Sequence, residues 1–217
     1  MTHYFITATG TGIGKTFFTC HLIQQWRKEG KRVTAVKPVI SEFDFARPET
    51  SDTGLIAQAL GLPLTASTIE SISPWRFAAP LSPDMAARQE KRRVDFDDVV
   101  NFCRRGREAN CHVIEGAGGV MSPLTETHTN LDLMQALNIP VILVTGSYLG
   151  TISHTLTALE ALDSRSVTVQ SIVMNESPDE TIPLEETYKS LQAFTGGKWP
   201  IQFLHRNALN NKTSYGI

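Results

Sequence analysis

The stretch Ala8-Thr9-Gly10-Thr11-Gly12-Ile13-Gly14-Lys15-Thr16 has the residue types of a phosphate-binding loop. Glycines and small hydroxyl residues let successive backbone N–H groups turn inward as a nest, and a helix that begins there adds the positive end of its dipole. Lys15 would reach the β- and γ-phosphates of a nucleoside triphosphate, and the Thr16 hydroxyl would sit on Mg2+. The spacing departs from G-x-x-x-x-G-K-[ST] at one point: Thr9 stands where Gly is required, and Gly10 follows one residue late. A flexible turn before a surface helix is the bland reading, but strand, glycine-rich turn, Gly-Lys-Thr and helix occur in the required order.

Further candidates lie where apolar runs end. Lys37-Pro38 closes the run Val33–Val36, and Pro38 cannot continue a central ladder, so Lys37 should emerge at the carboxyl edge beside the phosphate loop. There it is either a second positive charge near the γ-phosphate or a surface lysine. Asp52 is either a helix cap or a carboxylate within reach of a magnesium ion on Thr16. The run Cys111–Ile114 ends in Glu115-Gly116-Ala117-Gly118-Gly119, a carboxylate placed where phosphoryl-transfer enzymes hold Mg2+ or activate water. A helix opening near Gly150 offers free N–H groups to an anion such as a substrate carboxylate, or to water. Asn175, after the run Val167–Met174, offers an amide donor and acceptor to an adenine edge or forms a turn.

These residues need a scaffold of alternating strands and helices. The pattern predicts a strand over His3–Thr7, a helix over Phe17–Lys28 ended by Gly30, and a strand over Val33–Val36, a βαβ unit that implies a parallel sheet. From Ser41 to Ser82 the pattern loosens into loop, apart from a short helix opened by Ser51-Asp52 and running to Leu60. Helices are expected over Asp84–Gln89, after Asp95, after an Asn130 cap, over Thr151–Leu162 and over Leu184–Phe194. Strands are expected at Cys111–Ile114, Val141–Thr145, Val167–Met174 and Ile201–Leu204, followed by a polar tail. The fold class is α/β: one domain over 1–217, a phosphate-loop fold with a mostly parallel sheet and helices on both faces.

Composition narrows the class. A chain of 217 residues, 41% hydrophobic, can bury one sizeable core. A net charge of −2 gives no electrostatic case for nucleic acid or an anionic membrane surface. Three cysteines without C-x-x-C spacing suggest neither a disulfide framework nor a zinc site, and the six histidines lack metal-ligand spacing. No signal-peptide pattern and no bilayer-length apolar run are present, so the expected compartment is the cytoplasm.

Taken together, G-T-G-I-G-K-T, V-K-P-V, Ser51-Asp52, E-G-A-G-G, Y-L-G-T-I-S-H and M-N-E resemble the dethiobiotin synthetase family over most of the chain, to about Glu176. The resemblance implies an ATP- and Mg2+-dependent ring closure. In it 7,8-diaminononanoate, as its carbamate with CO2, attacks the γ-phosphate, and the second amine then closes a cyclic urea. It implies Lys15 and Lys37 as the catalytic residues and Thr16, Asp52 and Glu115 as the magnesium positions. Along the nucleotide it implies Gly12, Ile13, Gly14, Lys15, Thr16 and Phe17, then Asp52, then Glu115, Gly116, Ala117 and Gly118, then Asn175, Glu176, Phe203 and Leu204. For the diamine and its carboxylate it implies Thr11, Ser41 and Gly118, with Leu149, Gly150, Thr151 and Ser153 supplied by the partner of a homodimer. The chain departs from the family pattern at Ala8, where Gly is usual, at Gly12, where a carboxylate is common, and at Ser153, where Asn is frequent. Two other readings stand beside this one: another phosphoryl-transfer or amide-forming enzyme of the same fold, and a nucleotide-dependent regulatory module.

Overall fold

The computed structural model describes residues 1–177 and 182–205; the polar tail expected after Leu204 lies almost wholly outside them. In β1 (Thr2–Ala8), Tyr4, Ile6 and Ala8 face one side and Phe5 the other, the period-two alternation of a strand buried on both faces. Helix α1 (Lys15–Lys28) lays Phe18, Leu22, Ile23 and Trp26 on the Tyr4 side. Its N-terminal position, Gly14, has no side chain to cap it. Packing holds the helix instead: each fully buried side chain of this size contributes about 1.5–3 kcal/mol, more than a cap supplies.

After β2 (Val33–Val36), Pro38 stops the strand, as a residue with no N–H must. Residues Val39–Ile40 (β3) then pair in parallel with Trp75–Arg76 (β4) in a separate two-stranded sheet. This corrects the expectation of loop from Ser41 to Ser82. Within that span, α2 (Asp52–Leu60) is joined by an unexpected α3 (Ala66–Ile72), whose cap, Thr65, accepts a hydrogen bond from Thr68 N. The short helix α4 (Pro83–Gln89) precedes α5 (Phe96–Arg104), where the Asp95 carboxylate accepts hydrogen bonds from the N–H groups of Asp97 and Asp98.

The second half alternates as the sequence predicts: β5 (Cys111–Glu115), α6 (Asn130–Leu137), β6 (Val141–Gly146), α7 (Thr151–Ser164), β7 (Val169–Asn175), α8 (Leu184–Thr195) and β8 (Ile201–Leu204). One cap moves by a residue. Thr129, not Asn130, opens α6, in a box where its hydroxyl accepts from Asp132 N and the Asp132 carboxylate accepts from Thr129 N at 2.8 Å. Asn130 is thereby freed for another task.

The main sheet has the order β2-β5-β1-β6-β7-β8, with every adjacent pair parallel. The expected unit β1-α1-β2 is present in the chain, but β5 is inserted between its two strands. Helices α1 and α2 cover one face, while α5, α6 and α7 pack on the other. The carboxyl ends flanking β1 are a topological switch point, because the chain leaves β1 toward β2 on one side and continues to β6 on the other.

The α6 box also tests the fold. Partial burial raises the pKa of Asp132, but the hydrogen bonds from Thr129 and the guanidinium of Arg165, 2.6 Å away, hold it below the usual carboxylate range. A depressed carboxylate stabilises the fold above its unfolded-state pKa and loses that contribution as pH falls through the folded-state value. Asp132→Ala should therefore cost about 1–2 kcal/mol at pH 7 in urea denaturation. The gap from wild type should shrink as the pH is lowered from 5 toward 3; a gap constant over that range would show that the carboxylate charge contributes nothing.

Candidate active site

The residues after β1 wrap the carboxyl edge of the sheet and enter α1 through Gly14, whose φ of 97° lies in the left-handed region. A Cβ there would lie 2.1 Å from Asn175 Nδ2, so conformation and space both demand glycine. Asn175, at the end of β7, donates from Nδ2 to the Ile13 carbonyl at 3.0 Å and keeps a buried Oδ1 with no partner among the described residues. It therefore braces the loop from behind while presenting one unspent acceptor, a role that its place in the sequence does not reveal.

Across the loop, strand register sets the charged centre. Val36 pairs with Ile114 and Ile6 with Glu115, so the residue after Val36 continues alongside Glu115 and points to the same face. Lys37 Nζ lies 2.8 Å from Glu115 Oε1 and also donates to Asp52 Oδ2. Ser51 caps α2 through its hydroxyl, which accepts from Gly54 N, so Asp52 is not needed as a cap and its carboxylate is available to the site. The Thr16 hydroxyl donates to Glu115 Oε1 at 2.7 Å. Burial pulls the Lys37 pKa down, and the two carboxylates more than reverse it, leaving it above the ordinary lysine value. For Asp52 burial opposes ionisation, but Lys37 and the Thr16 hydroxyl hold its carboxyl below the usual range. Lys15, which donates to the Gly10 carbonyl at 3.1 Å, moves the other way: burial and then the charge of Lys37 lower it to about 8, against a smaller pull from Glu115 and Asp52.

These groups open onto a cavity of about 500 Å3. Of the phosphate-loop residues expected at a site, Thr11, Gly12, Gly14, Lys15, Thr16 and Phe17 line it. So do Lys37, Ser41, Asp52, Ala117 and Gly118, and the Ser41 hydroxyl is buried without a partner among the described residues. Ile40, Glu42, Pro80, Leu81, Ser82, Pro83 and Ser122 complete the wall, none of them expected from the sequence. Glu115 is fully buried beneath the floor, and Gly116 N is bonded to the Ile6 carbonyl.

The remaining expected residues lie elsewhere. Glu176 and Leu204 meet through Glu176 N and the Leu204 carbonyl at the ends of β7 and β8, and the Leu204 side chain is buried in the core. Any contact of Leu204 with a base is thus limited to its backbone, while Phe203 is half-buried against Tyr188. Leu149, Gly150, Thr151 and Ser153 do not line the cavity of their own chain. Leu149 is 81% exposed, and Thr151 is turned inward with its hydroxyl on the Gly146 carbonyl.

Thr16, Asp52 and Glu115 supply one hydroxyl and two carboxylates, an all-oxygen set that suits Mg2+ completed by substrate phosphates and water. Glu115 Oε2 is buried with no hydrogen-bond partner among the described residues, an acceptor that a cation would satisfy. The residues present therefore fit the ion.

Asn130 is the other residue that sequence reasoning misplaces. Its Nδ2 donates to the carbonyls of Ala117 and Gly119, which latches the glycine-rich wall after β5 to the start of α6. A polar residue one position past a better cap was the available signal.

The AAA domain family matches residues 2–203. The chain is 47% identical over 201 residues to the ATP-dependent dethiobiotin synthetase BioD of Phenylobacterium zucineum (strain HLK1), covering 91% of this chain and 86% of that protein. It is 44% identical over 207 residues to the protein of the same name from Acidiphilium cryptum (strain JF-5), covering 94% and 93%. Among solved structures, the MinC:MinD cell division protein complex of Aquifex aeolicus superposes with a TM-score of 0.55 over 97% of this chain and 84% of that one. At 11% identity this likeness is one of fold.

The latch made by Asn130 can be tested directly. Asn130→Ala leaves the Ala117 carbonyl without its donor, while the Gly119 carbonyl keeps Ser122 N, and should lower stability by about 1–3 kcal/mol in urea denaturation. A variant with the wild-type midpoint would show that the wall stands without the latch.

Proposed function

The chain belongs to the ATP-dependent dethiobiotin synthetases, and from that premise we propose how its own residues carry the reaction. It is an ATP-dependent ligase that forms dethiobiotin. The substrates we propose are 7,8-diaminononanoate and CO2. One amine, as its carbamate, attacks the γ-phosphorus of ATP and expels ADP, giving a carbamic-phosphoric anhydride. The second amine then attacks the carbamoyl carbon, closes the five-membered urea and releases phosphate.

The observation that carries this reading is Lys37. It is a buried ammonium held charged by Glu115 and Asp52, in the wall of the cavity that Lys15 also lines. A simple kinase has no need of a second fixed cation at that strand end. An enzyme that must hold an anionic carbamate against a triphosphate needs one, because two anions meet in the transition state. Lys15 faces the phosphates from the loop, and the backbone N–H groups around Gly12 to Thr16 bind along them. Mg2+ on Thr16, Asp52 and Glu115 would neutralise part of the triphosphate charge. The unspent Asn175 Oδ1, with the ends of β7 and β8, suits a base edge.

We propose a homodimer, because Leu149 and Ser153 are exposed and lie outside the cavity of their own chain, where a partner could use them. We place the enzyme in the cytoplasm: the three cysteines are free thiols, as a reducing compartment keeps them. Among the described residues no helix is long and apolar enough to cross a membrane. A nucleotide-dependent regulatory module, the other class the sequence allows, would have no use for a fixed carbamate-holding lysine.

Phosphate release from ATP and Mg2+ with bicarbonate, measured with and without 7,8-diaminononanoate and followed by mass analysis of the product, tests the reaction. Diamine-dependent release with a cyclic urea is expected; release independent of the diamine would overturn the substrate assignment. Lys37→Gln should reduce turnover by at least about 100-fold while ATP affinity stays within about threefold, read by single-turnover kinetics and calorimetry. Wild-type turnover in that variant would remove Lys37 from the chemistry.

A further inference from the structure

Glu42 lines the same cavity as Lys15 and Lys37, in a conformation that its residue type does not favour. Its φ of 58° lies in the left-handed region, which glycine or asparagine normally occupies. The conformation is held from outside: Glu42 N bonds the Ala79 carbonyl at 3.1 Å, and the next residue, Phe43, is buried with its N–H on the Phe77 carbonyl at 2.9 Å. The carboxylate gains nothing from its own chain, since no hydrogen bond or ion pair joins it to a described residue. A strained backbone that delivers an unspent charge to a cavity wall is a feature of binding sites.

The charge balance of the wall shows what that carboxylate can take. Lys37 is committed to Glu115 and Asp52, so both carboxylates beside the phosphate loop have a lysine partner, and Lys15 turns to the Gly10 carbonyl. Among the described lining residues Glu42 is the carboxylate with no cationic partner, and Gly12, another lining residue, has no side chain. Beside Glu42 the wall turns apolar through Ile40, Pro80, Leu81 and Pro83, surfaces suited to an alkyl chain.

We propose that Glu42 is a substrate-binding residue that accepts hydrogen bonds from the amine not converted to carbamate, holding it while the other nitrogen's carbamate reacts with ATP. This rests on the reading of a diamine substrate given above. It makes Glu42 a determinant of specificity for vicinal diamines over monoamines, because an amine-lacking analogue leaves the carboxylate unpaired.

Steady-state kinetics of wild type, Glu42→Gln and Glu42→Gly, with diamine as substrate and each of the two monoamines as competitive inhibitor, test it. Both variants should raise KM for the diamine about tenfold, with kcat within about threefold and ATP affinity unchanged. The preference of wild type for the diamine over the monoamine that lacks the held nitrogen should shrink by the same factor in Glu42→Gln. Glu42→Gly should also melt about 2–4 °C higher, because glycine tolerates the left-handed backbone, so a KM defect there cannot come from lost stability. An unchanged diamine KM in both variants would overturn the role of Glu42 and leave the reaction intact. A wild-type protein that turns over no diamine would instead overturn the substrate assignment, and the inference with it.

Discussion

Lys37 between Glu115 and Asp52 is the contact on which the site depends. A lysine buried at the end of a strand would ordinarily lose its proton. Here Lys37 keeps its charge by facing the Glu115 carboxylate at 2.8 Å, with the Asp52 carboxylate beside it from α2. The desolvation cost means that such a cluster adds little net stability, but removing one member strands the others, typically at about 3–5 kcal/mol for a buried pair. What the cluster supplies is position. It ties the ends of β2 and β5 to the first residue of α2, and through Thr16 to the first turn of α1.

The sheet order makes this cluster possible. If β2 lay directly beside β1, as chain order alone suggests, Lys37 would border the phosphate loop with no carboxylate between them. The insertion of β5 brings Glu115 into the gap and places the glycine-rich segment after it against the loop, where Gly119 lies close to the Ala8 carbonyl. Parallel register then aligns Lys37 with Glu115, because Val36 and Ile114 are partners. Asn130 fastens the far end of that segment, so both walls of the cavity are fixed to regular elements.

The strands and helices of the main sheet were readable from local pattern: β2 and β8 begin and end where apolar runs predict, and the phosphate loop was recognisable despite its shifted glycine. Of the residues expected at the site, Thr11, Gly12, Gly14, Lys15, Thr16, Phe17, Lys37, Ser41, Asp52, Ala117 and Gly118 line one cavity. What the sequence could not show is pairing between distant segments. Nothing in Val39–Ile40 announces Trp75–Arg76 as its partner, two residues being too short for a period, and nothing local says that β5 separates β1 from β2. Asn130 and Asn175 were assigned by their neighbours in the chain, a cap and a strand end. Their actual partners, the carbonyls of Ala117, Gly119 and Ile13, lie across the fold.

The opposite displacements of the two cavity lysines follow from the same geometry. Both are buried, so both pay for their charge; Lys37 has two carboxylates in contact, while Lys15 has a backbone carbonyl and the repulsion of Lys37. Lys37 is therefore a cation whether or not substrate is present. Lys15, lowered to about 8, holds its proton less firmly until an anion arrives. A triphosphate supplies that anion, so part of the attraction between nucleotide and loop is relief of the unfavourable burial of Lys15. The two lysines thus differ in kind: Lys37 is fixed in advance by carboxylates of its own chain, and Lys15 is left to be completed by the nucleotide.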